Sequence, residues 1–131
     1  MAAAIELVRA GRDVVVVDKA RFPRDKCCGD GLTTAALRHL ETLGLDPASV
    51  PSWRPVETAW VRSPSGREVG FPLPHEQGQF AAVAPRVELD AALVDVARHA
   101  GVTVHDGHGF TGVLDRLERA TRRDGRRSAV P

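Results

Sequence analysis

Gly11-Arg12-Asp13-Val14-Val15-Val16-Val17-Asp18 is the stretch on which the fold turns. Four consecutive valines ending on an acid suit a strand buried on both faces of a parallel sheet. The residues before it, Ala2 to Ala10, have Ala4, Ile5 and Val8 on one face of a helical period, and Gly11 is a stop. A helix, a glycine turn and a buried strand form the second half of a βαβ unit. The same succession recurs at Gly101, where Val87 to Ala100 reads as a helix with Leu89, Leu93, Val96 and Ala100 on one face. Val102 to Val104 then reads as a strand. The expected class is therefore a layered α/β sheet. The first strand of the βαβ unit would lie upstream of Met1, so the chain is expected to lack an N-terminal piece.

Between these two units, Thr33 or Thr34 caps a predicted helix over Thr34 to Leu43, with Ala36, Leu37, Leu40 and Leu43 apolar and Gly44 as its stop. Residues 45–56 contain Pro47, Pro51 and Pro55 and read as a connecting loop. Glu57 to Arg62 and Arg67 to Phe71 read as a hairpin around Ser63-Pro64-Ser65-Gly66, and Phe80 to Val83 as a short strand. From Leu114 to Pro131 the chain is rich in arginine and poor in large apolar residues. A brief helix and then a frayed or disordered end are expected there.

The 131 residues suffice for one modest domain, and 43% hydrophobic with 27% charged residues is ordinary for a soluble protein. A net charge of +1 gives no ground for a nucleic-acid partner. The longest apolar run is too short to span a membrane, and the N-terminus lacks the basic segment of a signal peptide. The two cysteines are adjacent, which neither staples a fold nor provides zinc spacing. No metal site is expected, and a cytoplasmic, reducing location is.

Three places could carry chemistry. Asp18, at the carboxyl end of the valine strand, is where dinucleotide-binding sheets place an acid against ribose hydroxyls; the alternative is a solvated strand end. Lys26-Cys27-Cys28-Gly29-Asp30-Gly31 offers a thiol beside a cation and two glycines that let backbone amides approach a ligand, against the alternative of inert cysteines. Arg86, just after Pro85 and before the Val87 helix, could clamp a phosphate at a helix start, or pair locally with Glu88 or Asp90. His39, His75, His99, His105 and His108 show no ligand spacing, and Trp53 and Trp60 are expected to pack or to line an apolar pocket.

Together the acid-ended valine strand, Arg24-Asp25-Lys26-x-Cys28-Gly29-Asp30-Gly31-Leu32, the proline-broken hairpin and Pro85-Arg86-x-x-Leu89-Asp90-x-x-Leu93 resemble the geranylgeranyl reductase family of flavoproteins, within the para-hydroxybenzoate-hydroxylase-like group of FAD enzymes. The resemblance covers residues 1–113. It implies an incomplete Rossmann-like FAD-binding domain, with the first strand and Gly-rich turn missing. A hairpin from the substrate domain would be inserted at about 55–83, and an arginine-rich tail would occupy 114–131.

It also implies FAD as cofactor. Asp18 would hold the adenosine ribose. Cys28, Gly29 and Gly31 would lie along the flavin, with the Cys28 thiol as the catalytic candidate. Arg86 would contact FAD, and the backbone at Phe110 would pass the adenine. The implied reaction is hydride transfer from reduced flavin to an apolar alkene or isoprenoid, with NAD(P)H or another donor reducing the flavin. A peripheral association with a membrane is compatible with such a substrate. A non-catalytic remnant and a flavin monooxygenase of the same fold group are the alternatives.

Overall fold

The computed structural model of the chain describes residues 1–27, 29–74 and 78–112. Helix α1 spans Ala2–Arg9 and strand β1 Val15–Asp18; β2 spans Gly31–Thr33 and α2 Thr34–Leu43. After a 3₁₀ turn at Pro47–Ser49 come β3 (Arg54–Pro55), β4 (Thr58–Arg62), β5 (Glu68–Pro72), β6 (Ala81–Val83), α3 (Arg86–His99) and β7 (Thr103–Asp106). The strands form three small sheets: β1 with β7, β2–β6–β3, and β4 with β5. The class is mixed α/β, as the sequence implies. The arginine-rich tail and His75 lie outside the described residues.

β1 and β7 pair in parallel, with Val15 opposite Thr103 and Asp18 opposite Asp106. The valine run is not buried on both faces. Val14 and Val16 pack under the helices, whereas Val15 is 61% exposed and Val17 also faces outward. Two strands alone cannot cover both sides of a pleated ribbon, so the helices shield one face only. No gap separates β1 from β7.

The helices end where local chemistry ends them. Thr33 caps α2 by accepting the Ala36 N–H at 3.4 Å, and Gly44 takes the left-handed conformation (φ 88°) that closes it. Arg9 reaches across from α1 and donates to the Thr42 and Leu43 carbonyls at 2.8 and 3.0 Å, supplying donors to the open end of α2.

Two apolar clusters result. One joins Leu40, Leu45, Val50, Ala84, Leu89 and Ala92 between α2, α3 and the β2–β6–β3 sheet. The other joins Ala4, Ile5, Leu43, Ala97 and Val102, so that α1, α2, α3 and the start of β7 meet. Helix α3 contributes to both, and Val94 is fully buried as well, which broadens its covered surface beyond the stripe at 89, 93, 96 and 100.

The hairpin β4–β5 pairs Trp60 with Gly70 and Arg62 with Glu68 across its register. A Cβ at Gly70 would come within 3.1 Å of the Trp60 ring, so the glycine leaves room for the indole to lie across the strand. Trp60 is nevertheless 70% exposed and lines no described pocket, contrary to the expectation from sequence. Trp53 does pack, against the first cluster, and its Nε1–H donates to Gln79 at 3.3 Å. Ala59, Val61, Val69 and Phe71 share the other face of the hairpin and are exposed.

Candidate functional site

Asp18 is the last residue of β1, and its surroundings are built by the two chain segments that leave the parallel pair. Its carbonyl accepts the His108 N–H at 2.9 Å, and the Gly107 N–H donates to the Ala20 carbonyl at 3.1 Å. The loop after β1 is thus stitched to the turn after β7. Gly107 has φ +72°, the left-handed conformation that favours glycine, and a Cβ there would press on the flexible Arg21 side chain at 3.2 Å.

The Asp18 carboxylate is held from two sides. One oxygen accepts the Ala20 N–H at 2.9 Å; the other lies 3.3 Å from the Arg24 guanidinium. Arg24 in turn stacks over the Phe22 ring, 5.2 Å from its centroid. Among the described residues, the Arg24 Nε is the one buried side-chain nitrogen or oxygen with no hydrogen-bond partner.

Asp18 and Arg24 open onto a cleft of about 300 Å³ that they share with Lys26, Arg86 and Asp90. Val16, Phe22 and Leu93 give it apolar surface, and Met1 and Ala2 bring the start of α1 to it. Asp18 and Arg86, singled out far apart in the sequence, therefore line one site. Arg86 is the first residue of α3, and its guanidinium grips both carboxylate oxygens of Asp90 through Nε and Nη2 at 2.7 to 3.0 Å. The local pairing left open by the sequence is thus made, with the arginine still lining the cleft.

Gly29 and Gly31 do not line that cleft. Gly31 sits in β2 opposite Val83, and a Cβ added at either glycine would meet nothing within 4 Å. Their lack of a side chain serves no packing inside the chain and leaves open space beside the backbone. Phe110 is 75% exposed and also lies away from the cleft. Cys27 is an exposed free thiol, and Cys28 lies outside the described residues. His105 and His108 are exposed, with ring centroids 5.7 Å apart, and no group of three or more metal-ligating side chains exists among the described residues.

Asp30 was not legible as a site residue, yet it ties the cysteine loop to α3. Its carboxylate accepts the Arg86 N–H at 3.2 Å, capping the helix from 56 positions away, and its carbonyl accepts the Ala84 N–H at 3.0 Å. Pro85, at the N-cap position, makes no side-chain cap of its own. Asp30→Ala is expected to cost about 1 kcal/mol of stability, as other lost caps do. Urea unfolding followed by circular dichroism measures it, and Asp30→Asn, which keeps an acceptor oxygen, should recover most of the loss.

A larger groove, about 450 Å³, runs between the 3₁₀ turn and α3, but its acids are already engaged. Asp46 accepts the Ala48 N–H, Glu88 accepts both donors of Ser52, and Asp95 pairs with Arg98. The smaller cleft, where cations and a strand-end carboxylate converge beside two helix starts, is the better candidate for an anionic ligand carrying a diol.

A family profile described as an FAD binding domain matches residues 1–129. The chain belongs to the FAD binding domain family. FAD is its cofactor. The chain is 46% identical over 115 residues to a menaquinone reductase of Mycolicibacterium smegmatis, an alignment covering 87% of this chain and 27% of that protein. A menaquinone reductase of Mycobacterium tuberculosis is 43% identical over 100 residues.

Among solved structures, a flavoprotein/dehydrogenase from Cytophaga hutchinsonii superposes with a TM-score of 0.69 at 26% identity, covering 87% of this chain and 29% of the other. A geranylgeranyl bacteriochlorophyll reductase-like protein from Thermoplasma acidophilum gives a TM-score of 0.70 over 88% of this chain and 29% of the other, and at 20% identity it shows the fold alone. The chain spans about a quarter of the length of the curated relatives it matches. No helix among the described residues is long and apolar enough to cross a membrane.

Proposed function

We propose that the chain is the cofactor-binding part of a flavin-dependent oxidoreductase of the geranylgeranyl reductase type, acting on an isoprenoid quinone or a related apolar alkene. The observation that carries this reading is the 46% identity to a protein named menaquinone reductase over 87% of the chain. A quinone with an isoprenoid tail carries alkene units on an apolar body, which fits the apolar alkene or isoprenoid substrate that the resemblance implies. In the complete enzyme NAD(P)H or another donor reduces the cofactor. We read residues 1–113 as part of a Rossmann-like domain with the hairpin at about 55–83 as the beginning of a substrate domain, and 114–131 as a tail. In a doubly wound sheet the second and third strands are neighbours, as β1 and β7 are here, and the first strand lies on the other edge of the second.

The residues fit an FAD. The cleft offers a strand-end carboxylate suited to a vicinal diol, and three cations against two acids. Asp18 would accept from the adenosine ribose hydroxyls. Lys26 and Arg86 would set a positive field around the phosphates, with the positive end of the α3 dipole adding to it. Gly29 and Gly31 would let the backbone approach the cofactor where a side chain would stand between them, and the backbone at Phe110 would pass the adenine. Cys28 is assigned the thiol beside the ring on the resemblance alone. Reduced FAD, when bound, would supply the hydride; the protein would supply its placement and the exclusion of water.

Titration of the purified chain with FAD, followed by quenching of flavin fluorescence and by the protein's own colour, tests the assignment. A yellow protein with saturable quenching is expected. The competing reading is a remnant that folds without holding the cofactor. The outward-facing Val15 of the β1–β7 pair and Val61 and Phe71 of the β4–β5 hairpin favour it, since small sheets with so much uncovered apolar surface are prone to self-association. A colourless protein that leaves flavin emission unchanged would select the remnant.

A further inference from the structure

Asp30 stands between two glycines beside which the space is open, and its carbonyl and its carboxylate are both engaged. The carbonyl accepts the Ala84 N–H at 3.0 Å, one step beyond the Gly31–Val83 pair of the β2–β6 ladder. The carboxylate accepts the Arg86 N–H at 3.2 Å. Ala84 is 0% exposed in the first apolar cluster, and the Arg86 guanidinium is tied one turn along α3 to Asp90. Residues 84–86 therefore run from the core to the cleft, and Asp30 fixes the glycine segment to them. Glycine has the freest backbone of any residue, so the position of residues 29–31 depends on what holds the residue between the two.

We propose that Asp30 is a positioning residue of the FAD site: its bonds to residues 84 and 86 set the Gly29–Gly31 backbone and Arg86 at one fixed spacing. The inference rests on the FAD reading, in which that backbone lies along the flavin and Arg86 faces the phosphates. Asp30 acts through those residues and not on the cofactor. Two hydrogen bonds from one residue fix its orientation as well as its place, which a single bond does not. Asp30 is exposed, so the carboxylate bond adds only modestly to stability, and its consequence lies in geometry. The spacing matters because FAD is one molecule whose two halves must be met at once. A segment free to drift has to be ordered when the flavin half docks, and that ordering weakens binding.

Such a role separates FAD from its adenine half. Isothermal titration of the full chain with FAD and with ADP, for wild type, Asp30→Ala and Asp30→Asn, reads it. ADP has the Asp18–Arg86 cleft to meet, which neither glycine lines. Asp30→Ala is expected to bind FAD about tenfold more weakly, the scale of ordering one loosened backbone residue, and ADP less than about twofold more weakly. Asp30→Asn keeps an acceptor oxygen and should restore FAD affinity to within about twofold of wild type. At saturating FAD, the visible circular dichroism of the bound flavin should be weaker in Asp30→Ala, because the surroundings of the ring are less fixed. In wild type, the ¹⁵N–¹H signals of Gly29 and Gly31 should move when ADP fills the cleft; in Asp30→Ala they should stay still.

A merely stabilising cap would lower the folded fraction and so weaken FAD and ADP by the same factor, with the dichroism at saturation unchanged. That result overturns the positioning role, as does unaltered FAD affinity in Asp30→Ala. Failure of Asp30→Asn to restore binding would mean that the site uses the charge and not the bonds, and it overturns the role too. If Asp30→Ala does not fold, the wild-type signals decide: glycine signals that ignore ADP overturn the link, and moving ones retain it. A wild type that binds neither FAD nor ADP removes the FAD assignment and the positioning role with it. A wild type that binds both, with variants that do not tell them apart, removes the role alone.

Discussion

Asp18→Ala is expected to weaken FAD binding about 10- to 100-fold, the largest effect of any single change at the site. The carboxylate would contribute charge-assisted hydrogen bonds to a diol, each of the order of 1.5–3 kcal/mol, and tenfold in affinity corresponds to about 1.4 kcal/mol. Removing it also leaves the Ala20 N–H and the Arg24 guanidinium without their present partner. Asp18 and Arg24 are each about a quarter exposed, so solvent screens the pair, and the stability cost should be only about 1 kcal/mol. Asp18→Asn separates the two effects. Its amide oxygen can still accept from Ala20, so stability should return toward wild type, while one donor now faces the diol and the charge is gone. Fluorescence titration alongside urea unfolding of both variants checks this. Full FAD affinity in Asp18→Ala would remove the strand-end acid from the site.

The sequence exposed those parts of the molecule in which neighbours along the chain decide the outcome. Helix α2 begins and ends where Thr33 and Gly44 demand, because a cap and a left-handed terminus are local events. The parallel unit at Val14 to Asp18 is visible because a run of valines between turn residues has few other uses. Strands β2 and β3 were hidden. At three and two residues they are too short to show a period, and they exist because β6 lies between them.

Burial was misjudged for the same reason. Whether Val15 and Val17 face protein or solvent depends on what stacks on the sheet, which four valines in a row do not encode. Within the site, Asp18 and Arg86 stood out because each sits at the end of an element. Arg24 and Asp30 did not, since their partners are six and 56 residues away and only the folded loops bring them together.

Ile5→Ala should be the most damaging change to stability, about 3 kcal/mol, because the site lost is closed on every side. Ile5 is 0% exposed and belongs to the cluster that joins α1 to Leu43 of α2, Ala97 of α3 and Val102 before β7. Truncating a large aliphatic there removes its transfer energy and leaves a cavity that three elements would have to shift to fill; such substitutions cost roughly 2–5 kcal/mol. For a domain of this length that lowers the melting temperature by the order of 10 °C. Leu7, two residues along the same helix and 49% exposed, is the control, and Leu7→Ala should cost under about 0.5 kcal/mol.

Thermal unfolding with and without FAD adds a second reading. Met1 and Ala2 border the cleft, so α1 links core and site. A ligand that binds only the folded state raises stability by an amount set by its concentration and affinity. If Ile5 serves the core alone, FAD should raise the stability of Ile5→Ala by as much as that of wild type. A smaller increment would mean that the cavity also displaces the start of α1, and that the packing beneath the helix holds the cleft in shape.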